Sequence, residues 1–249
     1  MNNDLLKYTI RIGDNCLILG QRMSMWCSNG PTLEEDIALS NISLDLFGQA
    51  NSFYSYAQEL NDKQSADDLA FQRNENEFLN FQLVELENNH FGHTIARNLL
   101  FDTFQFLFYQ KLIESNNQML SDIAAKSIKE VKYHLRHSNN WLIRLGDGTD
   151  ESNKKIQESI NEIWKYSGEL FEVDAIDESM IKEGIGVDVS LIESEWNNMI
   201  GDIFTKAKIK KPENIQMVTG GKKGVHTNYL NPLLAEMQYI PRKYPDAKW

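Results

Sequence analysis

Along most of the chain, apolar residues recur at three- and four-residue spacing, and runs of strict alternation are scarce. That period lines up apolar side chains on one stripe of a helix, whereas a half-buried strand needs a period of two. The expectation is an all-α fold. Helical segments are expected over residues 3–28, 32–60, 65–86, 91–114 and 118–145, then in shorter pieces over 152–172 and 188–207, with a closing helix that ends near Arg242. Leu6, Ile10, Leu17 and Trp26 belong to the inward stripe of the first helix, which the Ser28-Asn29-Gly30-Pro31 cluster ends. Thr32 with Glu35 three residues on has the form of an N-cap for the second. Polar residues 61–64, Gly146-Asp147-Gly148 and Gly184-Ile185-Gly186 punctuate the rest. With no linker in sight, residues 1–249 are expected to form one helical domain, a four-helix bundle core with additional N- and C-terminal helices.

A chain of 249 residues with 41% hydrophobic content is long enough for one large core. Its net charge of -11 argues against nucleic acid and anionic membrane surfaces, which both require clustered positive charge. The N-terminal stretch carries scattered charges and no apolar run of signal-peptide or membrane-span length, so a cytoplasmic location is the expectation. Cys16 and Cys27 fall on one expected helix, roughly 16 Å apart at about 1.5 Å per residue, beyond disulfide reach. They read as buried thiols.

Five residues on successive helical segments, Asp45, Glu75, Asp102, Glu130 and His134, stand where a four-helix di-iron protein places its ligands. Such a centre needs a carboxylate from each of two helices and a Glu-x-x-His pair from each of the other two, because i and i+3 share a helix face. Neither pair is complete. Glu75 is followed three residues on by Phe78 and Glu130 by Tyr133, with His134 one residue too late. The expectation is a bundle that has kept the architecture and lost the metal, so that these are vestigial ligand positions. Asp45, between Leu44 and Leu46, fits a former ligand or an internal hydrogen-bond partner equally well. Glu75 lies in a polar run that a solvent-facing segment also explains. Asp102 interrupts an aromatic run, and a buried carboxylate must be paired, hydrogen-bonded, protonated or metal-bound. Lys126, four residues before Glu130, is a candidate to replace the lost cation, against the alternative of a surface lysine. His137 adds only a weak zinc signal to His134, and His90 with His93 read as part of a helix start.

Gly220, Gly221, Lys222, Lys223, Gly224 and His226 form a glycine-rich basic loop in an acidic chain. Glycines let backbone approach a ligand or partner closely. The glycine spacing and the hydroxyl residue of a P-loop are absent. Contact with the phosphates of a nucleotide-like substrate, docking to an acidic partner surface, and a plain solvated loop all remain open.

Several long stretches then point to a family. Tyr8-Thr9-Ile10-Arg11-Ile12-Gly13-Asp14-Asn15-Cys16-Leu17, Leu44-Asp45-Leu46-Phe47-Gly48-Gln49-Ala50, Ala125 to Glu130 with Tyr133-His134-Leu135-Arg136, Gly220 to Gly224 with His226-Thr227, and Leu234 to Tyr239 closely resemble the C subunits of bacterial phenylacetyl-coenzyme A epoxidases. The resemblance covers essentially the whole chain. It implies a ferritin-like fold and a place in a multicomponent monooxygenase of aerobic phenylacetate breakdown. In that assembly the ferritin-like A chain is catalytic: it holds the di-iron centre and epoxidises the ring. A reductase and a small subunit complete the machine. The C chain is the non-catalytic structural companion of the catalytic one. The implied protein has no catalytic residue and no cofactor of its own, with di-iron expected in the catalytic partner. It pairs with that partner in a hetero-oligomer, through aromatic and Met anchors, with Lys222 and Lys223 as candidates for touching the phenylacetyl-coenzyme A tail. Two other readings stand beside it: a metal-dependent oxygenase or ferroxidase with an irregular site of its own, and a coenzyme A-ester binding module.

Overall fold

A computed structural model describes residues 2–245 and Ala247, the side chain of Asn2 excepted. Nine α-helices occur among the described residues, and no strand. In chain order they are α1 (Asn2–Ser24), α2 (Leu33–Leu60), α3 (Ala66–Phe71), α4 (Phe91–Leu112), α5 (Gln118–Gly146), α6 (Asp150–Ile163), α7 (Ala175–Lys182), α8 (Glu193–Lys206) and α9 (Leu230–Lys243). The all-helical architecture is consistent with a ferritin-like fold. The chain groups into two compact units, one of Met1–Leu86 with Gly220–Trp249 and the other of Glu87–Thr219.

The first unit is built on the antiparallel pair α1–α2. Gly13 and Gly20, seven residues apart on α1, let α2 come close: a Cβ at Gly13 would sit 2.7 Å from Tyr54 Cε1, and one at Gly20 would sit 3.0 Å from Phe47. The Thr32 hydroxyl caps α2 by accepting from the Glu35 N–H at 3.4 Å, as the sequence indicates. From residue 72 to 86 the chain is an irregular strap with short 3-10 turns at Glu75–Glu77 and Gln82–Glu85. Buried Phe78, Phe81, Leu83 and Val84 anchor it.

The second unit is built on the pair α4–α5, with α6 and α8 packed on α4. Residues along α4 are buried almost all round. Trp164, Phe171, Trp196 and Phe204 form an aromatic cluster, and the Trp196 indole N–H donates to the Leu100 carbonyl at 3.0 Å. Such a bond keeps the burial of a large ring from orphaning its one polar atom.

Three expectations need correction. The helix expected over 65–86 stops at Phe71: Ser65 caps α3, and Arg73 turns its side chain back to the Leu69 and Glu77 carbonyls, so Glu75 and Phe78 lie on the strap and not on a shared α-helical face. The first helix ends at Ser24 rather than near residue 28, because the N–H groups of Trp26, Cys27 and Asn29 turn to carbonyls three residues back. Trp26 is consequently only half-buried, and Cys27 is exposed while Cys16 is wholly buried. Leu6 is likewise half-buried. Beyond residue 150 the expected long helix over 152–172 ends at Ile163 and breaks into 3-10 turns, and α7, too short for its period to stand out, follows.

Candidate functional site

In the first unit, α1 offers a file of polar side chains, Arg11, Asp14, Asn15 and Arg22, and every one is buried. Asp14 is the centre. The Arg73 guanidinium donates through Nη1 to Oδ2 at 3.0 Å and through Nη2 to Oδ1 at 2.5 Å. The Tyr54 hydroxyl donates to Oδ1 at 2.5 Å, and the Leu79 N–H donates to Oδ2 at 2.7 Å. Arg73 also lies 4.0 Å over the Phe78 ring. Burial works against the charge on Arg73, but Asp14 and Tyr54 outweigh it and hold its pKa above the ordinary value. Burial and the Asp14 carboxylate keep the Tyr54 phenol protonated well above its usual range. This is a bidentate, fully desolvated ion pair whose carboxylate oxygens are both met by protein donors.

A second buried carboxylate, Glu85, closes the strap against the C-terminal segment. Oε1 accepts from His226 Nδ1 at 2.5 Å and Asn80 Nδ2 at 3.0 Å, and Oε2 accepts from the Thr227 N–H at 2.8 Å and the Thr227 hydroxyl at 2.7 Å. The other ring nitrogen of His226 faces the Phe78 carbonyl at 2.9 Å. Both ring nitrogens therefore meet acceptors, which is the arrangement of an imidazolium. Burial alone would lower the His226 pKa, but the hydrogen bond and charge of Glu85 prevail and raise it. Arg22 fastens the same junction by donating to the carbonyls of Glu85 and Tyr229 at 2.8 and 2.9 Å.

The glycine-rich loop is thus a folded clamp. Gly220 and Gly224 take φ of 128° and 74°, and a Cβ at Gly224 would collide with the Asn76 carbonyl. Gly221 and Lys222 are buried; the Lys222 ammonium lies 5.7 Å from the centre of the Phe81 ring and its carbonyl accepts from Arg11 at 3.3 Å. Of the two lysines, only Lys223 is exposed.

The residues expected at a vestigial metal site fall as follows. In the first unit, Asp45 on α2 and Glu75 on the strap are both half-buried. In the second, Asp102 on α4 is buried and accepts from the Ser138 hydroxyl at 2.7 Å. Burial pushes its carboxyl up to about 6, against the nearby His134, Ser138, His137 and Arg97. His134 is buried, Glu130 half-buried and Lys126 exposed. A row of every fourth residue drifts about 40° per step around an α-helix, so the stripe Lys126, Glu130, His134, Ser138 winds from solvent into the core. The Lys126 ammonium is therefore not the replacement cation. Buried arginines stand closer to that role, Arg73 against Asp14 in the first unit and Arg97 near Asp102 in the second. Among the described residues no three His, Cys, Asp or Glu side chains come together as a metal-binding group. Asp102 is bonded to a serine, and Glu75 with Phe78 lies off the α-helix, so that pair does not present the i,i+3 face a Glu-x-x-His pair uses.

Asp14, Arg73 and Glu85 were missed by the sequence reading. Asp14 could have been found, since three of its four neighbours at three and four residues, Ile10, Leu17 and Ile18, are apolar and mark its face as buried. Arg73 carries no such signal.

Fold and site together define a class: an all-helical protein whose buried carboxylates are answered by its own cations and hydrogen-bond donors. A family model described as phenylacetic acid catabolic protein matches residues 1–249, and the chain belongs to that family. It is 47% identical over 247 residues to a protein of Escherichia coli (strain K12) named as the C subunit of 1,2-phenylacetyl-CoA epoxidase, an alignment that covers 99% of this chain and the whole of that protein.

Proposed function

We propose that the chain is a non-catalytic structural subunit of the phenylacetyl-coenzyme A epoxidase type, working in the cytoplasm beside a di-iron catalytic partner and holding that partner's fold. The observation that carries this reading is the saturation of Asp14 and Glu85. A carboxylate whose oxygens already accept from Arg73, Tyr54 and Leu79, or from His226, Asn80 and Thr227, has no free lone pair to give a metal without breaking the packing. Rigid, internally neutralised charge suits a scaffold. A reductase and a small subunit belong to the same proposed assembly.

The docking face favoured by the exposed surface lies on α2. Leu33, Ile37 and Leu44 are 73%, 53% and 66% exposed and fall on one stripe. Large apolar side chains exposed in a row on a long helix are the signature of a covered interface. For contact with the coenzyme A tail, Lys223 is the remaining candidate, since Lys222 is turned inward.

Co-expression with the catalytic partner tests the reading. A stable hetero-oligomer should form, and ring epoxidation should require both chains. Reconstituted alone with ferrous iron under anaerobic conditions, this chain should bind no stoichiometric pair of ions. Stoichiometric iron with turnover by the isolated chain would establish the rival reading of a metal-dependent oxygenase.

A further inference from the structure

The first unit contains a sizeable groove, about 440 Å³, set between α1, α2, α3 and α9. Three aromatic side chains line it, Phe47, Tyr54 and Phe71, together with Met237. Alanines at 50, 66 and 70 leave the space between them. Its charge is of one sign. Asp67 is the only ionised residue in the lining, is exposed, and has no donor or cation of the protein against it among the described residues. Beside it, a shallower depression is bordered by Glu59, Asp62 and Asp68 against the single cation Lys63. An aromatic-walled groove with a carboxylate at the rim rejects anions and favours a cation with an apolar stem, through ring faces and the charge together. A phosphate or the substrate's thioester tail is the wrong chemistry for it.

Position says where such a cation comes from. Exposed Asn51 continues along α2 the stripe begun by Leu33, Ile37 and Leu44, because 37, 44 and 51 differ by seven, while Phe47 and Tyr54, turned toward α1, wall the groove beside it. The groove is the far end of the apolar face. We infer that it receives an arginine or lysine side chain of the catalytic partner, delivered by a helix whose apolar residues cover Leu33, Ile37 and Leu44. The inference rests on the companion reading above. Asn51 lies about 10 Å along α2 from Leu44, at about 1.5 Å per residue. The basic residue accordingly sits about two helical turns from the one that covers Leu44.

The experiment measures binding of the purified catalytic partner to the full chain by titration calorimetry at low and high salt, with thermal melting to confirm that each variant is folded. Asp67→Asn should weaken the complex about 5- to 30-fold and flatten its salt dependence. Asp67→Lys should weaken it further. Asn51→Trp, which fills the groove from its exposed rim, should do so without changing the salt slope, and Lys154→Gln on α6 should have no effect. A wild-type complex that all of the groove variants form with unchanged affinity overturns the inference and leaves the companion reading standing. Failure of the wild-type chain to bind the catalytic partner overturns both.

Discussion

At the scale of single residues, the molecule's most consequential contact is the Asp14–Arg73 pair. Breaking a buried ion pair from one side leaves the other charge stranded, at a cost of about 3–5 kcal/mol, whereas replacing both partners with apolar groups costs far less. Arg73→Met should therefore lower the urea unfolding free energy by about that amount, and Asp14→Leu combined with Arg73→Met should recover much of it. His226 gives a second test with a definite sign. Its folded pKa is raised, so the stability it contributes is complete below its ordinary 6.5 and is lost as pH climbs through the raised value. His93, lowered to about 4 by burial, has finished titrating below that window, whereas Asp102, raised to about 6 by burial, still titrates at its lower edge and adds the same slope to wild type and variant. Melting temperature measured from pH 6.5 upward should fall in the wild type and fall less steeply in His226→Gln. Equal slopes would mean that the ring is not charged in the folded state. Glu85 and Glu75 are the carboxylates that face the ring, and Arg22 is held at the Glu85 carbonyl.

At the scale of elements, the long helices were legible and the strap was not. The ends of α2, α4, α5 and α9 fall within a few residues of where caps, glycines and apolar period place them. The burial of Asp102 was also legible, because a carboxylate inside an aromatic run has nowhere else to go. Over 65–86, in contrast, local pattern was overruled by distant partners. Arg73 meets Asp14 from 59 residues away, and Glu85 meets His226 from 141 away, and neither separation leaves a mark on local sequence. The apolar face of α2 makes a prediction of its own. Ile37→Glu with Leu44→Glu changes two side chains that are more than half exposed and should leave stability within about 0.5 kcal/mol of wild type, yet abolish co-purification with the catalytic partner. A retained complex would move the interface to another face.

At the scale of the molecule, the two compact units divide the chain unequally. The second is one continuous stretch, while the first is made from both ends. Loss of residues 220–249 would strip Glu85 of three of the four donors it has and remove α9 from α3. Hydrogen exchange on that truncation should show α1 and α2 unprotected and the amides of α4 and α5 largely retained. Uniform loss in both units would mean that they fold as one cooperative body. No helix among the described residues is long and apolar enough to cross a membrane.

Because the clamp on Glu85 comes from the far end of the chain, the order of synthesis has a consequence. Residues 1–86 emerge from the ribosome first but lack their closing segment until residue 220 and beyond follow. At about 5–20 residues per second that interval is roughly 7–27 s, during which Glu85 has one of its four donors, Asn80, and the Arg11 and Arg22 guanidiniums lack the Lys222 and Tyr229 carbonyls. A holding chaperone, or a partner chain already folded nearby, would find its widest opening in that window.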